Sequence, residues 1–281
     1  QLKRIYWPEI GRRTNPARHA RALTSTKKTH DRYNLKPRLS PDGTKVAFFS
    51  DRRDYTKIII TDTEGKIEAE IGQRGYGGYF ESFHPMRSGI AWSPQSDRVA
   101  FVTKQQGQDQ IRIVDIHNKQ LIKKIDPPFN ACSSPDWSND GRYIVFSGID
   151  TGQTDLYLVD LDTDSIVRLT NDLRDESTPR FSRNGKSVLF SAQDTSGALA
   201  YATDIFHRPS SDLFLIHIEN GQLTRLTQTP WNEKHPCFSP EGDRILFVSD
   251  KNGINNLYIA PLDSLSTAHA ITDIIGGCSD P

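Results

Sequence analysis

One sixteen-residue pattern recurs five times in register, so the chain must fold as a series of like units. The copies are KPRLSPDGTKVAFFSD (36–51), GIAWSPQSDRVAFVTK (89–104), SPDWSNDGRYIVFSGI (134–149), TPRFSRNGKSVLFSAQ (178–193) and HPCFSPEGDRILFVSD (235–250). The serines that fall into line are Ser40, Ser93, Ser138, Ser182 and Ser239, spaced 53, 45, 44 and 57 residues apart.

Each copy carries its own folding instructions. Pro-Asp-Gly, Asn-Asp-Gly, Arg-Asn-Gly and Pro-Glu-Gly form tight turns: Pro presets φ, Asp or Asn bonds back to the backbone, and Gly accepts a left-handed conformation. Gln95-Ser96-Asp97 lacks the glycine and is expected to form a looser turn. An apolar strand follows, as in Ile144-Val145-Phe146. Such near-continuous runs mean burial on both faces. A third strand comes next, as in Leu156-Tyr157-Leu158-Val159, then a shorter and more polar outer one, as in Val167–Thr170. Four antiparallel strands in a repeat of this length make a propeller blade.

The expected repeats run at about 34–71, 80–125, 133–170, 176–227 and 233–272, inside a propeller domain at 34–281. Residues 276–281 resemble the opening of a sixth repeat, and Arg21-Ala22-Leu23-Thr24 resembles an outer-strand ending. Together they are expected to be parts of a closing sixth blade, with the natural chain continuing past Pro281. Residues 1–33 form an arm with nine Lys or Arg against Glu9 and Asp31. It is either a solvated connection or a segment that docks on an acidic surface.

Bulk properties fit this reading. Hydrophobic residues make up 35% of the chain and mean hydropathy is −0.59, which suits many small cores between thin sheets. Lys+Arg and Asp+Glu are both 35, so nothing in the total argues for nucleic acid or an anionic membrane. No apolar stretch is long enough for a membrane span. Cys132, Cys237 and Cys278 are an odd set without Cys-x-x-Cys spacing, so neither a disulfide framework nor a structural zinc site is expected.

These residues resemble the PD40 repeat of TolB-like propellers. Pro-x-Trp/Phe-Ser-Pro-Asp-Gly, the Leu-Tyr-Leu-Val-Asp strand at 156–160 and the closing Arg-Leu-Thr all match, and the match covers roughly 34–281. The resemblance implies an all-β propeller of five full blades plus parts of a sixth, in a periplasmic or extracellular setting. It implies a non-catalytic scaffold that binds a protein or peptide, as one domain of a larger secreted or periplasmic bacterial protein. The alternative is a gating or docking propeller of a peptidase whose catalytic domain lies outside this chain. Tyr6-Trp7-Pro8-Glu9-Ile10 and Phe80–Pro85 most resemble the propellers of large secreted bacterial proteins that carry a peptidase-like domain.

Catalytic signatures are lacking. There is no Gly-x-Ser-x-Gly and no His-Glu-x-x-His, so no catalytic residue is assigned and no cofactor is expected. The Gly-rich stretch 72–78 is not followed by a helix and is taken as a link between blades. Asp160-x-Asp162-x-Asp164 starts like a calcium loop but lacks the later Gly and Glu, so no metal is expected. Trp92 and Trp137 hold the repeat's own aromatic position, which leaves little support for a sugar site.

The candidate site comes from position. Four residues before the aligned serines stand Lys36, Gly89, Ser134, Thr178 and His235; six before stand Asn34, Arg87, Cys132, Glu176 and Glu233. They enter the innermost strand of each blade, near the channel mouth. Lys36, Arg87, Glu176, Glu233 and His235 are the candidate partner-binding residues there, and a hydrated rim without a ligand is the other reading. The insertion at 195–211 presents Tyr201, Ile205, Phe206 and His207 as a partner-contact loop, or folds back on its own blade.

Overall fold

Turn chemistry repeats with the sequence. The computed structural model describes residues 23–24, 31, 33–52, 55–72, 81–85, 89–129, 131–150, 152–194, 210–274 and 277–278. At the first aligned serine, the Ser40 amide donates to the Lys45 carbonyl at 2.9 Å, and the Ser40 hydroxyl accepts from the Lys45 amide at 2.9 Å. That hydroxyl also donates to the Asp42 carboxylate at 2.5 Å, which, with the Thr44 amide, lowers this carboxyl to about 2. Ser93 with Asp97, Ser138 with Asp140, Ser182 with Asn184 and Ser239 with Asp243 repeat the link. The turn at Ser96 is not looser, as its missing glycine suggested. Ser96 takes the left-handed conformation itself, at φ 58°, and its amide donates to the Ser93 carbonyl at 2.9 Å, as Gly43 does to Ser40. Its hydroxyl accepts from the Asp42 amide at 3.2 Å, so it also ties two successive turns together.

Each turn opens a four-stranded antiparallel sheet, and the described residues contain five. Blade 1 is β1 (Asn34–Leu39), β2 (Lys45–Ser50), β3 (Lys57–Asp62) and β4 (Ile67–Ile71). Blade 2 is β5 (Ile90–Trp92), β6 (Arg98–Gln105), β7 (Gln108–Asp115) and β8 (Leu121–Ile125). Blade 3 is β9 (Ala131–Trp137), β10 (Tyr143–Asp150), β11 (Gln153–Asp160) and β12 (Ile166–Arg168). Blade 4 is β13 (Arg174–Phe181), β14 (Ser187–Asp194), β15 (Ser211–His217) and β16 (Leu223–Arg225). Blade 5 is β17 (Glu233–Phe238), β18 (Arg244–Ser249), β19 (Asn256–Pro261) and β20 (His269–Ala270). The inner strands β1, β5, β9, β13 and β17 pack in that order.

The core lies between blades. Along β10, Ile144 and Phe146 join blade 2 residues such as Val102 and Ile111, while Val145 joins Val188 and Phe190 of blade 4. Side chains alternate across a strand, so a sheet sandwiched by two neighbours needs apolar residues at successive positions. The eighth residue after every aligned serine is phenylalanine: Phe48, Phe101, Phe146, Phe190 and Phe247, all buried. In blades 3, 4 and 5 it faces an aromatic ring across the strand pair, with centroids 5.9, 5.7 and 6.0 Å apart at Tyr157, Phe214 and Tyr258.

The closing Arg-Leu-Thr ties the outer edge back to the third strand. Thr170 and Thr227 accept the Leu156 and Leu213 amides through their hydroxyls, both at 2.9 Å. Arg168 and Arg225 reach Asp155 and Asp212 at 2.5 Å. Asp155 is buried, and removing one partner of a buried pair strands the other's charge. The Arg168 side chain is 36% exposed, so Arg168→Ala is expected to cost about 2–3 kcal/mol, below the full penalty for a buried pair. Urea unfolding checks this, and Arg168→Ala with Asp155→Asn is expected to recover part of the loss.

No sixth blade stands among the described residues. Leu23 and Thr24 lie against blade 1, where Thr24 accepts from the Asn34 side chain at 3.2 Å. Cys278 lies against blade 5, its amide donating to the Asn255 carbonyl at 2.8 Å. Nor is any helix among the described residues long and apolar enough to cross a membrane.

Candidate functional site

A bulge interrupts four of the five inner strands at the same place. Leu35 pairs with Phe49 and Arg38 with Ala47, so β1 carries one residue more than its partner. The shift recurs between Ser133 and Asp136, Ser177 and Arg180, and Lys234 and Cys237. Each bulge holds an X-Pro pair: Lys36-Pro37, Ser134-Pro135, Thr178-Pro179 and His235-Pro236. Proline has no N–H to lose, so inside a sheet it belongs at a bulge. The residue before it is left-handed, with φ 55°, 52°, 53° and 52° in the four blades. A β-carbon in that conformation costs roughly 1–2 kcal/mol per residue. Blade 2 carries Gly89 there, where a β-carbon would come 3.1 Å from the Ser134 Cα, so blades 2 and 3 approach closely at this point and a side chain would press on the blade 3 backbone.

The bulge changes which side chains share a face. Lys36 and His235 are half-buried at the bulges of blades 1 and 5, and Thr178 is buried with its hydroxyl 3.1 Å from that of Ser191. Glu176 and Glu233, two residues earlier, are 1% and 5% exposed. Both respond to carboxylates of the preceding blade. Burial, then Asp172 and Asp155, pushes the Glu176 carboxyl up to about 9, and neither of its oxygens has a hydrogen-bond partner among the described residues. Burial likewise raises Glu233, which Asp212 also raises and hydrogen bonding with Thr227 and Thr229 opposes. Cys132, at the same place in blade 3, donates its amide to Asp109 at 3.1 Å, and burial raises its thiol. The six-before residues of blades 3, 4 and 5 therefore belong to the seams between blades, while Lys36 and His235 stand at the bulges. Arg87 lies outside the described residues, as do Tyr201, Ile205, Phe206 and His207.

The inner strands bring together a second group that the sequence reading passed over. Two residues before the aligned serines stand Arg38, Asp136, Arg180 and Cys237, around a cavity of about 300 Å3 near the turns. Their signal was present in the repeat: Arg38, Asp136 and Arg180 are charged residues at a strand position where the apolar pattern expects none.

Among the described residues, no three of His, Cys, Asp and Glu are placed to hold an ion. The Asp160-x-Asp162-x-Asp164 run is a turn in which Asp160 accepts the Asp162 amide at 2.9 Å and pairs with Arg142 at 2.7 Å. All three cysteines are free.

Five antiparallel four-stranded blades around converging inner strands make this a β-propeller. The TolB beta propeller domain model, PD40, matches residues 24–208, and the chain belongs to that family. A Tol-Pal system protein TolB from Francisella tularensis subsp. mediasiatica is 32% identical over 151 residues, 53% of this chain and 31% of the relative. Its counterpart in Bordetella pertussis is 28% identical over 171 residues, 60% of this chain and 35% of the relative. The match thus spans about a third of these relatives. Among solved structures, a putative TolB from Agrobacterium tumefaciens superposes with a TM-score of 0.70 at 18% identity, covering 87% of this chain and 82% of that one. TolB from Acinetobacter baumannii gives 0.63 at 20% identity, covering 82% and 52%. At these identities the two structures speak to the fold alone.

Proposed function

We propose that this chain is a non-catalytic propeller that binds a protein or peptide at the mouth where its inner strands begin, within a larger periplasmic or secreted bacterial protein. The observation that supports the reading is the left-handed bulge repeated in four blades, which keeps Lys36 and His235 at one level of the ring at a cost in backbone energy. A cation and an imidazole at matching positions suit a partner segment carrying acidic or carbonyl groups. The named relatives are Tol-Pal system proteins, which favours a protein partner and a periplasmic place. Arg87 and the residues Tyr201, Ile205, Phe206 and His207 are proposed to extend the same contact surface.

Peptides selected by display on the immobilised full chain test the reading. Lys36→Gly with His235→Gly is the variant of choice, because both residues are left-handed and glycine keeps that backbone without strain. Selected peptides are expected to lose at least about tenfold in affinity, or ~1.4 kcal/mol. Unchanged affinity in a folded variant contradicts the reading.

A further inference from the structure

The cavity of about 300 Å3 at the turn end of the inner strands is independent of the mouth discussed above, and it is built differently. Arg38 from β1, Arg180 from β13 and Arg183 from the following turn line it, against the single carboxyl of Asp136 from β9. The Arg180 side chain is 9% exposed, its Nη1 donates to the Pro179 carbonyl at 2.6 Å, and its Nε is buried with no acceptor among the described residues. Asp136 is 3.9 Å from the Arg180 Nη1 and accepts the Phe181 amide at 2.8 Å, so it does not satisfy the Arg180 Nε. Against burial, which raises both groups, the Arg38 guanidinium acts through its charge to lower the Asp136 carboxyl and the Cys237 thiol. A buried N–H without an acceptor is a cost that a bound acceptor removes.

The walls are aromatic. Trp92, Trp137, Phe181 and Phe238 line the same cavity. The two indole N–H groups already donate to the Arg38 and Gly141 carbonyls, each at 3.0 Å, so these rings have only apolar surface left to offer. The volume lies at the lower end of the range for small-molecule sites, which starts at about 300 Å3. Planar guanidinium groups match a carboxylate, and a single negative charge conflicts least with Asp136 nearby.

We propose that this cavity binds a small aromatic carboxylate, with the acid group on Arg180 and Arg38 and the ring between the aromatic side chains. The group can come from a free acid or from an aromatic residue at a chain terminus. Burial, chiefly, pushes the Asp136 carboxyl up to about 7, opposed by the Phe181 amide, Arg38 and the Trp137 amide. The other charged or titratable groups around it are Arg180 and Cys237. Protonated Asp136 no longer competes for the arginines, so binding is expected to be tighter at pH 6 than at pH 8.

Isothermal titration of the full chain decides the matter. Phenylacetate is expected to bind at least tenfold more tightly than phenylacetamide at pH 6, and Arg38→Gln and Arg180→Gln are each expected to weaken it at least tenfold. N-acetylphenylalanine against its amide tells a chain terminus from a free acid, and preference for either carboxylate supports the site. Should Arg180→Gln fail to fold, Arg38→Gln carries the test alone. Acid and amide binding equally, inorganic phosphate matching phenylacetate, or a folded Arg38→Gln that binds phenylacetate as the native chain does overturns the proposal.

Discussion

Phe146→Ala is expected to cost about 3–5 kcal/mol, among the largest losses any single truncation in this propeller can give. Phe146 is fully buried on β10, stacked at 5.9 Å on Tyr157 of the next strand and 6.0 Å from Phe129. The neighbourhood has no slack with which to collapse on a cavity. Gly148, two residues along the same strand face, already lies so close to Phe129 that a β-carbon there would come 2.4 Å from that ring. The cluster joins blades 2 and 3, so the truncation weakens a seam and not one sheet alone. Repeat architectures are sums of units and nearest-neighbour interfaces, so the loss should spread to the neighbouring blade. Urea unfolding gives the magnitude, and amide exchange is expected to show faster opening in both β6 and β10. A loss below about 1.5 kcal/mol, the range of volume-conserving swaps, means that the seam repacks.

Glu176→Gln is expected to change how stability depends on pH. The Glu176 carboxyl is raised to about 9 in the folded chain from an ordinary 4.5, so the folded state holds a proton that the unfolded state has released. Stability from this group is fully present below pH 4.5 and is lost as pH rises towards 9. The expected fall between pH 5.5 and pH 8 is roughly 2–4 kcal/mol, at about 1.4 kcal/mol per unit. Glutamine cannot ionise and should flatten that part of the profile. Asp136 and Glu233 are also raised and remain in both proteins, so the difference between the two profiles isolates Glu176. Parallel profiles for native and variant chains mean that Glu176 ionises normally.

Much of this fold can be read from residues that act locally. The serine of each repeat makes its hydrogen bonds within five residues, so the turns, and the strands they start, follow from short stretches of sequence. The apolar runs and the phenylalanine eight residues on announce burial on both faces because that burial is a property of each strand. What could not be read depends on pairing between strands. The alternation rule puts positions four and six before the serine on one face, and the bulge, which begins at position four, alters that relation. Glu176 and Glu233 consequently sit in the seams between blades, and the four X-Pro pairs were the visible trace of the bulge. Ser96 shows the opposite case: the surrounding hydrogen bonds impose a left-handed turn on a residue whose own preference is against it.

Photocrosslinking from the mouth tests the central claim most directly. A photoreactive amino acid is placed at Lys36 in one full chain and at Leu223, on the solvent side of β16, in another, and each is produced in the organism that makes the chain natively. The expected result is a discrete crosslinked partner from position 36, absent from position 223 and lost when His235 is replaced by glycine. Crosslinks of equal yield from both positions, or from position 223 alone, contradict a partner site at the mouth of this propeller.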